Sequence, residues 1–131
     1  MEISNNVPKQ FLANEAYMNI LRRVSVRIYE DTPVSDDQIA ALLHAAMSAP
    51  SAVNRQPWEF IVVDDRKLLV QLADALPYAK MTARAPLAIV VCGNEERFLD
   101  GVDSTLWEQD LSAAAENILL AAHAIGLGGV W

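Results

Sequence analysis

The sequence predicts one domain of the α/β or α+β class, in which helices lie in layers against a sheet. Helix-like apolar spacing recurs in four segments, and two short runs rich in β-branched residues lie among them. A chain of 131 residues is long enough for one hydrophobic core and short for a two-domain protein. Its composition, 53% hydrophobic and 21% charged, is typical of a packed globular protein and unlike a disordered one.

The first part of the chain predicts two helices joined by an extended segment. Apolar residues at helical spacing predict a helix over residues 13–21, and residues 25–29 then alternate as an extended chain does. Ser35 predicts the start of the second helix, because Gln38 follows it at the capping-box spacing. Pro50 is expected to end that helix.

The second part predicts two strands and two further helices. The apolar run 58–63 predicts a strand, and residues 66–76 predict a short amphipathic helix. Residues 86–92 predict a second strand that is apolar on both faces, and therefore central in its sheet. The longest helix is expected over residues 103–125, with the glycine-rich stretch 126–129 as its cap.

Bulk features exclude several classes of protein. No apolar run approaches the roughly 20 residues of a membrane helix, and the N-terminus lacks the pattern of a secretory signal. Cys92 is the single cysteine, which excludes an intramolecular disulfide and a cysteine-based zinc cluster. A net charge of −7 argues against a nucleic-acid-binding protein. The sequence therefore predicts a soluble protein of the reducing cytoplasm, with no membrane or nucleic-acid partner.

A cluster of arginines interrupts this acidic chain. Arg22, Arg23 and Arg27 lie within six positions of one another. In an extended segment Arg23, Ser25 and Arg27 point to the same side, and in a helix Arg23 and Arg27 would still share a face. Either conformation brings two guanidinium groups together, and the extended one adds a hydroxyl, which suits a terminal phosphate. The alternative is the solvated end of a helix, whose charges have no ligand.

The loop at 49–58 is the second candidate binding segment. It connects a helix to a strand, a position where binding residues are common, and two prolines stiffen it. Asn54 and Gln56 offer amide donors and acceptors that match the uracil-like edge of a flavin. The alternative is a rigid connector whose amides bond to its own backbone.

Three segments in order carry a family resemblance. They are Arg-x-Ser-x-Arg at 23–27, Ala-Pro-Ser-Ala-x-Asn-x-Gln-Pro-Trp at 49–58, and the alanine-rich helix 110–123 that runs into Gly-Leu-Gly at 126–128. Together they resemble the FMN-dependent nitroreductase family. The resemblance covers about residues 15–131, and the central loop is its most specific part.

The resemblance implies a fold, a cofactor and an activity. The fold is a three-layer α/β/α sandwich around a mixed, mainly antiparallel sheet, which forms an intertwined homodimer with FMN at the interface. The activity is that of an oxidoreductase that passes hydride from NAD(P)H through flavin N5 to small planar acceptors by a ping-pong mechanism. Nitroaromatics, quinones and enones are the expected acceptors. Neither a catalytic side chain nor a metal is expected, because the cofactor supplies the chemistry.

The resemblance also assigns cofactor contacts. The phosphate and ribityl contacts correspond to Arg23, Val24 (through its backbone), Ser25 and Arg27. The loop that reaches the flavin held mainly by the partner subunit corresponds to Pro50, Ser51, Ala52 and Asn54. A further polar or basic flavin contact corresponds, by a looser match, to Lys80.

Other readings of the sequence differ in activity. Relatives with the same fold dehalogenate, oxidise heterocycles in peptides or fragment flavin, and a non-catalytic flavin-binding or interaction domain is the alternative from another class. Family members continue past the position of Trp131 with a flavin-contacting loop, a strand and a basic residue. We therefore expect residues 1–131 to form a single domain that lacks its C-terminal portion.

Overall fold

Five helices and two strands alternate along residues 7–99, 101 and 105–131, which are the residues that the computed structural model describes. In chain order they are α1 (Lys9–Leu12), α2 (Glu15–Arg22), α3 (Asp36–Met47), β1 (Trp58–Val63), α4 (Arg66–Ala75), β2 (Ala88–Gly93) and α5 (Leu106–Ala124). Short 3₁₀ turns lie at Ala52–Asn54, Lys80–Arg84 and Glu95–Arg97. The longest helix, α5, packs on a small antiparallel sheet, and α3 packs against α5. This arrangement confirms the α+β class.

The starts of α2, α3 and α4 follow local capping signals. Ser35 Oγ accepts a hydrogen bond from the Gln38 amide at 3.3 Å, and Gln38 Oε1 accepts one from the Ser35 amide at 3.0 Å. This capping box begins α3 at the position that the sequence predicts. The helix ends at Met47, before Pro50, so the predicted end lies about one turn too late. The predicted helix over 13–21 begins at Glu15, where Asn14 is its N-cap.

The end of α5 is a glycine cap. Gly126 has a φ of 80°, and its amide bonds to the His123 carbonyl at 3.2 Å. The Leu127 amide reaches back to the Ala122 carbonyl at 2.8 Å, which completes a Schellman motif. The glycine cap is therefore confirmed. The expected first residues of this helix, Asp103 and Ser104, lie outside the described residues.

The sheet consists of β1 and β2, paired antiparallel with Trp58 opposite Gly93 and Val63 opposite Ala88. The prediction that the second strand is central is wrong for the described part of the chain, where the sheet has only these two strands. Every residue of β2 is partly buried, since the strand contacts α5 and also borders a cavity. The contacts with α5 and the cavity therefore account for the apolar side chains that suggested a central strand.

The core lies around α5, which packs against α3 and against both strands. Ala46 of α3 and Ala114 of α5 are completely buried, and such small side chains let the two helices approach closely. The same cluster includes Ala49, Leu111 of α5 and Trp58 of β1. None of the helices in the described residues is long and apolar enough to cross a membrane.

Candidate functional site

The segment at 23–27 leaves α2 and docks beside the end of α5. Arg23 follows the last helical residue with an extended backbone (φ −56°, ψ 130°). Ser25 forms an isolated parallel bridge with Gly129, and the Val26 amide donates to the Gly129 carbonyl at 2.9 Å. Gly128 permits this approach, because a Cβ atom built there would lie 2.9 Å from the Cβ of Val26. The extended chain expected at 25–29 is thus paired at one point.

The two arginines of this segment have different environments. Arg23 Nε lies 3.4 Å from Glu116 Oε1 of α5, and its side chain is only 27% exposed. The exposed Arg27 lines the main cavity and has no carboxylate partner among the residues described. Arg23, Val24 and Ser25 do not line that cavity. The bridge at Ser25 therefore sets one arginine against α5 and the other at the cavity wall.

The loop after α3 has an unusual backbone. Val53, Asn54 and Gln56 all have positive φ angles, of 44°, 57° and 49°. Asparagine tolerates this left-handed region, whereas a β-branched valine adopts it only under strain. Val53 is 78% exposed, so burial of its side chain does not offset the strain. Such strain clusters at functional sites, where surrounding contacts hold it in place.

Several hydrogen bonds hold this loop. Ser51 Oγ accepts from the Gln56 amide at 2.9 Å, and the Gln56 carbonyl accepts from Arg97 Nη1 at 3.2 Å. The Ala52 amide donates to Asp110 Oδ1 of α5 at 3.0 Å. Pro57, at the end of the loop, is fully buried. The loop is therefore rigid at its base, while Val53 and Asn54 are exposed at its tip.

Lys80 lies apart from both segments and caps a helix. Its Nζ donates to the Ala73 carbonyl at 2.9 Å and lies 4.0 Å from Asp74 Oδ1. A cation at the C-terminal end of α4 is stabilised by the unpaired carbonyls there. A flavin contact from Lys80 would compete with this bond.

A cavity of about 1090 Å³ lies between β2, α5, the chain at 26–34 and the residues after α5. Its walls are mainly apolar and include Ile89, Val91 and Leu119. Arg27 and Tyr29 bring polar groups to the same walls. Small-molecule sites commonly have volumes of roughly 300–1,000 Å³, so this space is large enough for a nucleotide-sized ligand.

Tyr29 is an ionisable group at the cavity wall, and its environment changes its acidity. Its hydroxyl donates to the Val26 carbonyl at 2.7 Å. Burial raises the pKa of Tyr29 above 10.0, and the Arg27 charge opposes this by lowering it. Tyr29 therefore stays protonated at neutral pH and holds the turn that presents Arg27.

The structure gathers some of the predicted residues and adds others. Ser51, Ala52 and Asn54 share one clamped loop, and Arg23, Ser25 and Arg27 share one docked segment, but the two groups do not line one cavity. Sequence reasoning did not identify Asp110, which anchors the loop. A carboxylate beside the apolar stripe of α5 was the available signal. No group of three or more potential metal ligands occurs in the described part of the chain.

Comparison with known proteins places this geometry in a family. The model of the family described as "Nitroreductase family" matches residues 20–77 and 73–131. The chain belongs to the nitroreductase family. A relative from Archaeoglobus fulgidus, provisionally named an NADH dehydrogenase/NAD(P)H nitroreductase, is 47% identical over 117 residues, which are 89% of this chain and 66% of that protein.

Solved structures of other proteins named as nitroreductases have a fold similar to that of this chain. A Bacteroides thetaiotaomicron protein with the same provisional name is 51% identical, with a TM-score of 0.83 over 90% of this chain and 67% of that one. A provisionally named nitroreductase of Desulfovibrio desulfuricans, crystallised in complex with FMN, is 35% identical. Its TM-score is 0.77, over 88% of this chain and 66% of that one. The chain thus spans about two thirds of the length of these relatives.

Proposed function

We propose that this nitroreductase-family chain binds FMN in a homodimer and catalyses electron transfer from NAD(P)H to small planar acceptors. The observation that carries the proposal is Arg27, an arginine without a carboxylate partner in the described residues, at the wall of an apolar cavity. An exposed guanidinium at the wall of a cavity, with no carboxylate to neutralise it, can pair with an anionic ligand through two parallel hydrogen bonds. The phosphate of FMN is such an anion, and an FMN-bound relative supports this choice.

The residues present fit the phosphate end of the cofactor. Arg27 and Arg23 would hold the phosphate through paired hydrogen bonds, and the exposed Ser25 hydroxyl adds a donor between them. The Val24 backbone contributes there as well. Arg23 already lies 3.4 Å from Glu116, so that carboxylate would orient the guanidinium and lower its net attraction for phosphate. The bridge to Gly129 holds the backbone at Ser25, between the two arginines.

The loop at 50–56 fits the ring end. Pro50 and the bond between Ser51 and Gln56 stiffen it, and the exposed Asn54 side chain is free to bond with the polar edge of a flavin. We assign this loop to the flavin held mainly by the partner subunit. Lys80 remains the weakest of the proposed contacts, because its amine caps α4.

In this proposal the cofactor and the protein chain contribute different parts of the reaction. FMN, when bound, supplies the redox chemistry between NAD(P)H and the acceptor. The chain binds and orients the cofactor, and its apolar cavity wall selects flat molecules and excludes water. Donor and acceptor would use the same face in turn, which gives ping-pong kinetics. Nitroaromatics, quinones and enones are the acceptors that such a slot suits.

A spectroscopic titration tests the proposal. We expect the purified protein to bind added FMN, with a perturbed visible flavin absorbance that bleaches when NADH is added without oxygen. Bound flavin that does not bleach would indicate a non-catalytic flavin-binding domain. A protein that leaves the spectrum of free FMN unchanged would contradict the cofactor assignment.

The variant Arg27→Ala tests whether this one side chain binds the phosphate of FMN. A hydrogen bond to a charged group contributes about 1.5–3 kcal/mol, so FMN affinity should fall roughly 10- to 100-fold. Riboflavin, which lacks the phosphate, should bind equally well to the variant and the wild type. Arg22→Ala, which removes an exposed arginine at the end of α2, five residues before Arg27, is the matched control and should leave both affinities unchanged. An equal loss of riboflavin and FMN would contradict phosphate binding by Arg27.

A further inference from the structure

Asp110 is the one buried polar or charged residue among the residues that the structure describes, with 9% of its surface exposed. It lies on α5 next to the core residue Leu111 and one turn before Ala114, whereas Glu108 of the same helix is exposed. Burial of a carboxylate is costly unless hydrogen bonds compensate for the lost water. Its recorded partner is the Ala52 amide, whose nitrogen lies 3.0 Å from Asp110 Oδ1.

This bond replaces a missing cap. The turn at Ala52–Asn54 has no side-chain cap from the residue that precedes it, Ser51. Asp110, 58 residues further along the chain, accepts from the first amide of the turn instead. A carboxylate that accepts from a backbone N–H makes a stronger bond than a neutral oxygen does. The hydrogen bond between Asp110 and Ala52 is therefore a tie between the loop and α5, the longest helix in the described part of the chain.

The loop needs such a tie because its backbone is strained. Val53, Asn54 and Gln56 lie in the left-handed region, which costs about 1–3 kcal/mol per non-glycine residue and persists only when surrounding contacts impose it. The side-chain bonds from Ser51 and Arg97 both end at Gln56, while backbone bonds within the turn join the Asn54 amide to Ser51 and the Arg55 amide to Ala52. Asp110 adds a bond from α5 to the N-terminal side of the strained turn, next to Val53 and Asn54.

We propose that Asp110 is a positioning residue for flavin binding, which holds Ala52 so that the strained turn presents Asn54 to the cofactor. The inference rests on the proposed function, since Asn54 is assigned there to the flavin. Asp110 does not touch the flavin in this assignment. It acts through the Ala52 amide, and its loss lets the turn relax to an ordinary conformation that withdraws Asn54.

Amide hydrogen exchange tests the tie without any cofactor. In Asp110→Ala we expect the Ala52 amide to exchange at least about tenfold faster, with faster exchange at residues 53–56. Asp110→Asn keeps an oxygen acceptor of the same shape and should retain most of the protection. Asp65→Ala is the matched control: Asp65 also accepts one backbone amide, from Leu68 at 3.0 Å, but at the start of α4. It should lower the melting temperature without changing exchange at Ala52.

FMN titration of the same variants tests the positioning role. We expect Asp110→Ala to weaken FMN binding by roughly tenfold, Asp110→Asn to restore it to within about threefold of wild type, and Asp65→Ala to leave it unchanged. An Asp110→Ala variant that binds FMN as the wild type does, or that melts lower while Ala52 stays protected, would overturn the inference. If the wild type binds no FMN but Ala52 loses protection in Asp110→Ala, the hydrogen bond between Asp110 and Ala52 is confirmed. The claim that it positions the loop for flavin is then overturned.

Discussion

Tyr29 illustrates how a single residue at the cavity couples stability to pH. Its hydroxyl is bonded to the Val26 carbonyl, and burial raises the pKa of Tyr29 above its ordinary value of 10.0. The unfolded chain therefore loses this proton at a lower pH than the folded protein does. The stabilisation is fully present below about pH 10, the unfolded value, and is lost as the pH rises through the higher folded value.

The corresponding prediction concerns Tyr29→Phe. At pH 8 we expect the variant to be less stable by about 1 kcal/mol, because the hydrogen bond to Val26 is lost. Above pH 10 its free energy of unfolding should fall less steeply than that of the wild type, since the titrating group is gone. Urea unfolding between pH 8 and 11 measures both effects. Tyr78→Phe, which alters a ring that is 92% exposed, should follow the wild-type curve. If the free energy of unfolding of Tyr29→Phe and of the wild type fell equally steeply above pH 10, the raised pKa of Tyr29 would be contradicted.

Among the structural elements, the docking of residues 25–27 against the end of α5 depends on Gly128. A Cβ atom at this position would lie within 2.9–3.0 Å of the Cβ and both Cγ atoms of Val26. Val26 lies between Ser25 and Arg27, so relief of this clash must move the proposed phosphate ligands. Gly128→Ala should therefore destabilise the protein by about 1–3 kcal/mol and weaken FMN binding more than riboflavin binding.

Gly93→Ala is the control for this element. A Cβ atom there would meet the Phe98 ring at 2.7 Å and Trp107 at 3.0 Å, so a comparable loss of stability is expected. This crowding falls on the stacked pair Phe98–Trp107 and not on Val26. Titrations with FMN and riboflavin should show a changed ratio of the two affinities in Gly128→Ala alone. An equal change in both variants would show that general destabilisation, not displacement of the arginines, is the cause.

At the same scale, the elements that sequence predicts well are those with local signals. The capping box at Ser35 and the β-branched run at 58–63 placed α3 and β1, because both signals act within a few residues. The tie between Asp110 and Ala52 spans 58 positions, and no local pattern encodes it. Val53 is the opposite case, since its β-branched side chain disfavours the left-handed backbone that the tertiary contacts impose. The candidate loop was therefore found from its residue types, but its conformation was not.

For the whole molecule, α5 separates the two candidate binding segments. Arg23 contacts α5 at Glu116 and Ala52 contacts it at Asp110, six residues earlier. Six helical residues correspond to about 9 Å along the axis and about 120° around it. The two segments thus approach the helix from different sides, and they do not line one cavity of the single chain. This separation supports a site in which one copy supplies the arginines and a second copy supplies the loop.

Mixed dimers test that arrangement. One variant, Arg23→Ala/Arg27→Ala, lacks the phosphate ligands, and a second, Ser51→Ala/Asn54→Ala, lacks the loop contacts; each alone should bind FMN weakly. If each site combines segments from two copies, a dimer of one variant with the other contains one site with every native residue and one site with neither segment intact. Dimers purified through a different tag on each copy should then bind about one FMN with near wild-type affinity, whereas the wild-type dimer should bind about two.

If both segments served the flavin of their own copy, every site would carry one defect, and the mixed dimer would bind FMN no better than the two variants do alone. A wild-type chain that binds FMN while it sediments as a monomer would contradict the two-copy site in the same way.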